Sequence, residues 1–472
     1  MCGGASIFRP MVSGRVLCIS AGMLAPKKAD NPVGRSHLYL NFGLLGLASV
    51  LASDGFDPVV VHGGFVTPED FIRDLVERVT LSEEPLILLS IPSSFSLPWA
   101  RRGVEALRRL VPAARIVVGG RWVVADDEPW IRSRLPDVDV FARGVAEGYI
   151  VDIARGDSLG RRTRRRVPSI PELDYRLLEG MECFNPSLEV SRGCGMGCAF
   201  CAEAREPLGG MKPPRRLVAE MARLIEVYGT ASIRPYLEAS LFRPTSAWVG
   251  ELGEALEASG VHLPWRTETR VDTMPPDLIP GLARAGLRIL DLGLESGSPA
   301  QLRRMRKTTR PDVYLRRASS LLEACRREGV WVKVNILVHP GETLDTVAQT
   351  RAWLEEHRSA IKGVSVGPTI LFRYGRASAA LLAEFESHGA SVVDRFALDR
   401  DGFAHLHPSR SISHDAAVEL SNEISRSMMS ARDYYDLKSF GYLPRQSSWD
   451  DFRQIVVGCP GGNFSFRLEG LG

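Results

Sequence analysis

Short apolar runs rich in β-branched residues alternate along this chain with stretches whose apolar positions recur at helical spacing. In the first 150 residues the runs Val16–Ser20, Pro58–His62, Pro85–Ile91, Arg115–Val118 and Val138–Ala142 predict strands. Between them, Asn41–Ser53, Glu69–Val79, Trp99–Leu110 and Asp126–Arg134 predict helices. Strict alternation of this kind predicts an α/β domain over residues 1–150, a doubly wound parallel sheet. Such sheets bind ligands at the carboxyl ends of their strands, which here carry Ala21-Gly22, Pro92-Ser93-Ser94, Gly119-Gly120-Arg121 and Arg143-Gly144. Residues 151–186 change character, with Arg161-Arg162-Thr163-Arg164-Arg165-Arg166 followed by Pro168 and Pro171, and read as a solvated linker. A second alternation follows. Leu188–Ser191, Ser232–Glu238, Trp265–Asp272, Arg288–Glu295, Trp331–His339 and Val364–Phe372 predict strands separated by helices such as Leu217–Tyr228, Ser246–Ala258 and Tyr314–Arg327. This spacing predicts a partial (β/α)6 barrel over residues 187–375. The alternation then fades, and helical patterns with the aromatic residues Tyr434, Tyr435, Phe440 and Tyr442 predict a small, mainly helical domain over 376–472.

Composition narrows the classes of function. The 472 residues carry 59 basic and 56 acidic side chains, a formal net charge of +3, so no broad cationic surface for nucleic acid or anionic membrane is expected. No run approaches the roughly 18 apolar residues of a membrane span, and Met1-Cys2-Gly3-Gly4 does not open a signal peptide, so a cytoplasmic location is expected. Only seven of the basic residues are lysine, a bias that reads as coding composition without functional content. Eight cysteines are too sparse for a disulfide scaffold, yet three fall within Cys194-Gly195-Met196-Gly197-Cys198-Ala199-Phe200-Cys201. Three thiolates in a glycine-rich loop suit one face of an iron–sulfur cubane, leaving one iron open for chemistry. A structural zinc site would require a fourth Cys or His, and none lies between residues 184 and 261. Three structural cysteines, or a zinc site completed from a distance, are the competing readings. His405, His407 and His414 read as a solvated cluster rather than a metal site. Cys2, Cys18, Cys183, Cys325 and Cys459 show no ligand spacing, and Tyr434, Tyr435 and Tyr442 read as core.

Cys194, Cys198 and Cys201, directly after the first barrel strand, resemble the C-x3-C-x2-C signature of the radical S-adenosylmethionine (SAM) enzymes. The resemblance continues through Thr269-Arg270-Val271-Asp272, Gly293-Leu294-Glu295-Ser296-Gly297-Ser298 and His339-Pro340-Gly341-Glu342-Thr343. It implies that the three cysteines hold a 4Fe-4S cluster whose fourth iron binds SAM. It further implies that Arg270, Glu295, Ser296, Glu238, Pro340 and Gly341 help to hold SAM, which one electron cleaves to a 5′-deoxyadenosyl radical. Glu238 enters by position, because Arg234-Pro235-Tyr236-Leu237-Glu238-Ala239-Ser240 departs from the acidic or Gly-Gly-Glu segment of similar enzymes. The N-terminal sheet resembles the Rossmann-like cobalamin-binding domain of one subgroup, which implies cobalamin contacts at Ser93, Ser94, Gly119, Gly120, Arg121 and Gly144. The cobalt-ligating D-x-H-x-x-G motif is missing, and neither His37 nor His62 fits it, so no His lower ligand is expected.

The resemblance as a whole implies a cobalamin-dependent radical SAM C-methyltransferase acting on a small molecule, of the kind made in secondary metabolism. One SAM would methylate cob(I)alamin and a second would supply the radical. An external one-electron reductant of the flavodoxin or ferredoxin type would serve it, with no nucleic-acid or membrane partner, and the C-terminal domain would shape the substrate pocket. A rearrangement or cyclisation on the same parts is the alternative. RNA modification fits less well, since the N-terminal region lacks a second cysteine triad, and an iron–sulfur sensor would not need the SAM-holding motifs.

Overall fold

The computed structural model describes residues 15–27, 31–123, 125–156 and 170–469. The arginine run 161–166 with Pro168, and Cys2, lie outside them. The chain divides into two compact units, one from residues up to Leu24 with Asn41–Glu179, the other from Ala25–Leu40 with Gly180 onward.

In the first unit β1 (Arg15–Ser20), β2 (Asp57–His62), β3 (Leu86–Ser90), β4 (Arg115–Gly119) and β5 (Val140–Phe141) pair in parallel in the order β2-β1-β3-β4-β5. This is a doubly wound α/β sheet, with the strand order reversing between β1 and β3. Strands of a parallel sheet are covered on both faces, hence the continuous apolar runs in sequence. Leu17, Ile19, Ile87, Leu89, Ile116 and Val118 build one face of the core with Trp99, which is fully buried. The indole N–H of Trp99 donates to the Val66 carbonyl at 2.8 Å, so its one polar atom is satisfied.

In the second unit β6 (Ser187–Ser191), β7 (Tyr236–Ala239), β8 (Trp265–Arg270), β9 (Leu287–Glu295), β10 (Trp331–Val338) and β11 (Gly363–Pro368) lie side by side in chain order, all parallel. Helices including Pro214–Tyr228, Ser246–Ser259, Pro311–Arg327 and Leu344–Glu356 connect them. This is the six-stranded partial barrel expected from the spacing. The expected last strand, Val364–Phe372, is two elements. After Pro368 the chain leaves the barrel sheet, and β12 (Ile370–Phe372) pairs antiparallel with β14 (Phe403–His407), which also pairs with β13 (Ser391–Val392). The helical C-terminal region therefore carries a small sheet besides its helices Ala377–Ser387, Ala397–Asp401, His414–Met428, Ala431–Lys438 and Trp449–Val457.

The amino-terminal ends of the barrel strands are closed by charge and aromatic rings. Arg266, wholly buried, donates from Nε and Nη2 to Asp291 at 2.5 and 2.8 Å and from Nη1 to the Leu437 carbonyl at 2.5 Å. Lys333 adds an ion pair to Asp291 at 2.7 Å, and the Tyr236 hydroxyl donates to the same carboxylate at 3.3 Å. The two cations hold the Asp291 carboxyl well below the usual carboxylate range against the effect of burial. The Tyr442 ring lies 5.1 Å from the Arg266 guanidinium, and the Leu38 N–H donates to the Tyr442 carbonyl at 2.7 Å. Val33 joins Tyr434, Phe452, Phe464 and Phe466 in the C-terminal core, so residues 25–40 pack with the second unit. No helix among the described residues is long and apolar enough to cross a membrane.

Removing one partner of a buried ion pair strands the other charge in low dielectric, at a cost of about 3–5 kcal/mol. Asp291→Ala is therefore expected to lower the stability of the barrel by about that amount in urea denaturation followed by tryptophan fluorescence. An unchanged midpoint would show that Arg266 and Lys333 find other partners.

Candidate active site

The loop after β6 carries the three cysteines. Its path requires glycine: Gly193, Gly195 and Gly197 have φ of 76°, 68° and 73°, and a Cβ on Gly193 would stand 2.0 Å from the Pro207 carbonyl oxygen. The loop is pinned from three sides. Cys194 N–H donates to Glu206 O at 2.9 Å, Ala199 N–H to Met305 O at 2.9 Å, and Gly209 N–H to Arg192 O at 2.8 Å. Cys198 is buried, Cys194 and Cys201 are half-buried, and none of the described cysteines forms a disulfide. No group of three His, Cys, Asp or Glu side chains among the described residues is set to hold a single metal ion. A cubane asks for something else: each thiolate binds a different iron, so three sulfurs must be spread around a cluster rather than converge on a point. Three thiols spread along one pinned loop fit that demand.

Arg270, the last residue of β8, reaches the loop. Its Nη1 donates to Cys198 Sγ at 2.7 Å, its Nη2 to the Lys307 carbonyl at 2.6 Å, and its Nε to Asp272 at 2.9 Å. Glu295 closes β9 with φ of 72°, a strained value for a side chain of its size, and pairs with Lys307 at 3.0 Å, both buried. Gly293 leaves the room they need, since a Cβ there would lie 2.8 Å from Glu295 Oε1. Lys307 Nζ stands 6.0 Å from the Phe200 ring centroid, between Cys198 and Cys201 in sequence. The structure thus brings Arg270 and Glu295 together with the cysteine loop, and adds Lys307, which the sequence reading passed over as one of few lysines.

The other residues assigned to SAM are placed differently. Ser296 spends its hydroxyl inside the fold, 3.1 Å from the Thr350 hydroxyl and accepting from Ser298 N–H at 3.0 Å. Gly341, with φ of 84°, donates its N–H to the Pro408 carbonyl at 2.8 Å, and its own carbonyl accepts from Arg304 at 2.9 Å. The Pro340 carbonyl lies 3.2 Å from the His339 ring, whose burial lowers its pKa to about 4, and that ring meets Phe200 edge-on at 6.1 Å between centroids. Glu238 stands deeper in the barrel, accepting from the Ser187 hydroxyl at 2.8 Å.

In the first unit the expected residues lie at strand ends. Ser93 and Ser94 follow β3, Ser94 being buried; Gly119 ends β4, with Arg121 exposed just beyond, and Gly144 has φ of 65° beyond β5. Gly120, with φ of 127°, has no space for a side chain, a Cβ falling 2.4 Å from the Ile91 carbonyl oxygen. Beside them is a network that the sequence did not disclose. Asn41 Nδ2 donates to Ser20 Oγ at 3.1 Å and Ser90 Oγ at 2.9 Å, and its backbone N–H donates to His62 Nε2 at 3.0 Å, joining the ends of β1, β2 and β3 at the switch point. Burial pulls His62 down to about 4. Its Nε2 accepts from the Asn41 backbone.

Residues 188–354 match the Radical SAM superfamily. The chain carries a radical SAM domain. Both units find counterparts among solved structures. The radical S-adenosylmethionine methyltransferase TsrM from Kitasatospora setae, with cobalamin and a [4Fe-4S] cluster bound, shares 17% identity over 75% of this chain and 74% of its own, with a TM-score of 0.55. TsrM with tryptophan substrate and the SAM analogue aza-SAM gives 16% and 0.56. The cobalamin-dependent SAM radical enzyme OxsB, with aqua-cobalamin and SAM, shares 16% identity over 79% of this chain and 56% of its own, with a TM-score of 0.56. The chain therefore has the fold of cobalamin-dependent radical SAM enzymes. No curated protein sequence matches it.

Among the other candidates, the His405 and His414 rings lie tilted at 43° with centroids 4.6 Å apart, and no metal-holding group forms around them among the described residues. Cys18 and Cys325 are buried thiols pushed up to about 12, inert as nucleophiles. Tyr434 is core.

Gly193→Ala is expected to lower the iron content of anaerobically reconstituted protein, because the loop must move off Pro207, while Gly210→Ala, where a Cβ meets open space, keeps it. Equal iron in both would show that the loop path is not fixed by Gly193. A second expectation concerns pH. Burial, above all, raises the Glu238 carboxyl from 4.5 to about 8. A group raised on folding adds stability that is complete below its unfolded pKa and lost as pH climbs through its folded one. The melting temperature should therefore fall between pH 5 and pH 8 more steeply in the wild-type protein than in Glu238→Gln, and parallel profiles would remove Glu238 as the cause.

Proposed function

We propose that this chain is a cobalamin-dependent radical SAM C-methyltransferase acting on a small molecule. The reading is carried by one observation: Arg270 and Glu295, at the carboxyl ends of β8 and β9, converge with Lys307 on the loop of Cys194, Cys198 and Cys201. Cys194, Cys198 and Cys201 would hold the cluster, and Ser93, Ser94, Gly119, Gly120, Arg121 and Gly144 would line the cobalamin site. Bound there, the cluster supplies the electron that cleaves SAM, and cobalamin carries the methyl group. Arg270 and Lys307 offer cations to a carboxylate and Glu295 an anion to an ammonium, the complementary set that an amino acid head group requires. The Glu295–Lys307 pair closes on itself in the free protein, and the zwitterionic end of SAM would replace each partner with its own opposite charge. Arg270 also donates to Cys198 Sγ, which fixes that sulfur against the end of β8. Burial of Lys307 and Arg270 keeps water from these contacts and strengthens them.

The match to TsrM, whose substrate is tryptophan, supports a small-molecule substrate and methyl transfer. A reductant of the flavodoxin or ferredoxin type would supply the electron. Rearrangement or cyclisation on the same parts is the second reading; the other match, OxsB, is named as a cobalamin-dependent S-adenosylmethionine radical enzyme and not as a methyltransferase.

Two measurements test the proposal. Glu295→Ala and Lys307→Ala are expected to keep the cluster and each weaken SAM binding by about tenfold or more, the loss of one charge-assisted contact. Unchanged affinity in both would move SAM elsewhere. Reconstituted protein given methyl-deuterated SAM and an extract of the producing cell should transfer label into a new product, whereas an unlabelled product would establish rearrangement. Cobalamin should co-elute at about one per chain, with a cobalt(II) resonance free of nitrogen splitting, since Asn41 engages His62.

A further inference from the structure

Five adjacent barrel strands carry ionisable residues in a single row. Glu189 of β6 is in register with Glu238 of β7, Glu268 of β8 with Asp291 of β9, and Asp291 with Lys333 of β10. Leu237 opposite Thr267 sets Glu238 beside Glu268 and completes the row. The outer carboxylates are compensated. Glu189 accepts twice from Arg192, both at 2.6 Å, and Asp291 is held by Arg266 and Lys333. The inner two are not. Glu238 has only the Ser187 hydroxyl, and among the described residues the Glu268 carboxyl has no hydrogen bond and no ion pair.

Two independent features show what these carboxyls face. Glu268 is exposed although it lies in the middle of the barrel sheet on the same face as Arg270, which places it on the wall of the barrel lumen. That lumen has a closed end. Arg266, Asp291 and Lys333 with the rings of Tyr236 and Tyr442 form its floor, while Arg270 lies two residues further along β8 than Glu268, about 7 Å toward the cysteine loop. A molecule seated under the cysteine loop rests against the inner pair. Adjacent enclosed carboxyls with no cation in contact resist ionisation: burial pushes Glu268 up to about 7 and Glu238 to about 8, with Asp291 adding to the first and Glu268 to the second, while Arg266, and for Glu268 also Lys333, offset only part of the rise. A metal ion is not the missing partner, since no three ligands converge there among the described residues.

We infer that the lumen takes a substrate bearing a protonated nitrogen, an ammonium or amidinium seated between Glu238 and Glu268. This names the substrate class of the site proposed above and rests on that reading. It also reassigns Glu238, which points to the substrate rather than to SAM. A bound cation restores the balance of the row, leaving four carboxylates with a partner each, and holds the rest of the molecule upward toward Arg270 and Cys198.

The test uses protein loaded with its cluster and SAM, and three probes of one size: tryptamine, the cation; tryptophol, neutral; and indole-3-acetate, the anion. Calorimetry at neutral pH is expected to show tryptamine binding at least about tenfold tighter than tryptophol, with indole-3-acetate weakest. Glu238→Gln and Glu268→Gln should each remove most of that preference while tryptophol affinity holds. Equal affinities for the three probes in the wild-type protein, or a preference that survives in both variants, would overturn the inference, and the wild-type series decides alone should a variant not fold. Release of 5′-deoxyadenosine separates the two readings. SAM cleavage without amine preference removes the amine site and leaves the enzyme class; amine preference in protein that holds no iron and leaves SAM intact removes the class and leaves the amine site.

Discussion

The pairing of Arg266 with Asp291 sets the geometry on which the site depends. Both are buried, so neither charge is tolerated unless the other is met in good alignment. That demand fixes β8 against β9, and Lys333 extends it to β10. With these strands in register, Arg270 and Glu295 arrive together at the opposite end of the barrel. A slip of one residue would turn Arg266, Glu268 and Arg270 out toward the helices and their apolar neighbours in toward the lumen. The third donor of Arg266, to the Leu437 carbonyl, ties the same interaction to the C-terminal region.

Much of this was legible in the sequence because parallel strands, covered on both faces, appear as unbroken apolar runs, and because a cysteine triad is hard to mistake. Strands such as Val16–Ser20 and Arg115–Val118 differ from the observed elements by a residue at most. The reading failed where local pattern is silent about partners. Val364–Phe372 is continuous in character, and only pairing with Phe403–His407 divides it at Thr369. Phe403–His407 itself alternates over so few residues that its histidines hide it. Residues 25–40 read as part of the N-terminal domain by position, whereas Val33 and His37 pack with aromatic residues some 400 positions away, a relation no local periodicity encodes.

Lysine usage acquires meaning only in the folded chain. In a chain where arginine serves nearly every basic position, the few lysines are informative. Lys212 pairs with Glu220 at 2.5 Å, Lys307 with Glu295 at 3.0 Å, Lys333 with Asp291 at 2.7 Å, and Lys362 with Asp433 at 2.8 Å. Lys438 lies 4.5 Å from the Tyr442 ring centroid. Each places a compact, three-donor ammonium, rather than the planar fork of a guanidinium, beside a carboxylate or a ring. Bias in composition sharpened the meaning of the exceptions instead of erasing it.

The floor of the barrel has a consequence for how the protein is made. Leu437 and Tyr442, which cap Arg266, leave the ribosome after all six barrel strands have emerged, whereas Leu38, which bonds to Tyr442, emerges before any of them. Closing the floor therefore joins segments at long sequence separation, the slowest class of contact to form. Until it closes, Arg266 and Asp291 remain wetted through the open end, and a nascent barrel is a leaky one. The floor is thus the last part of the barrel that synthesis can complete, long after the strands it closes.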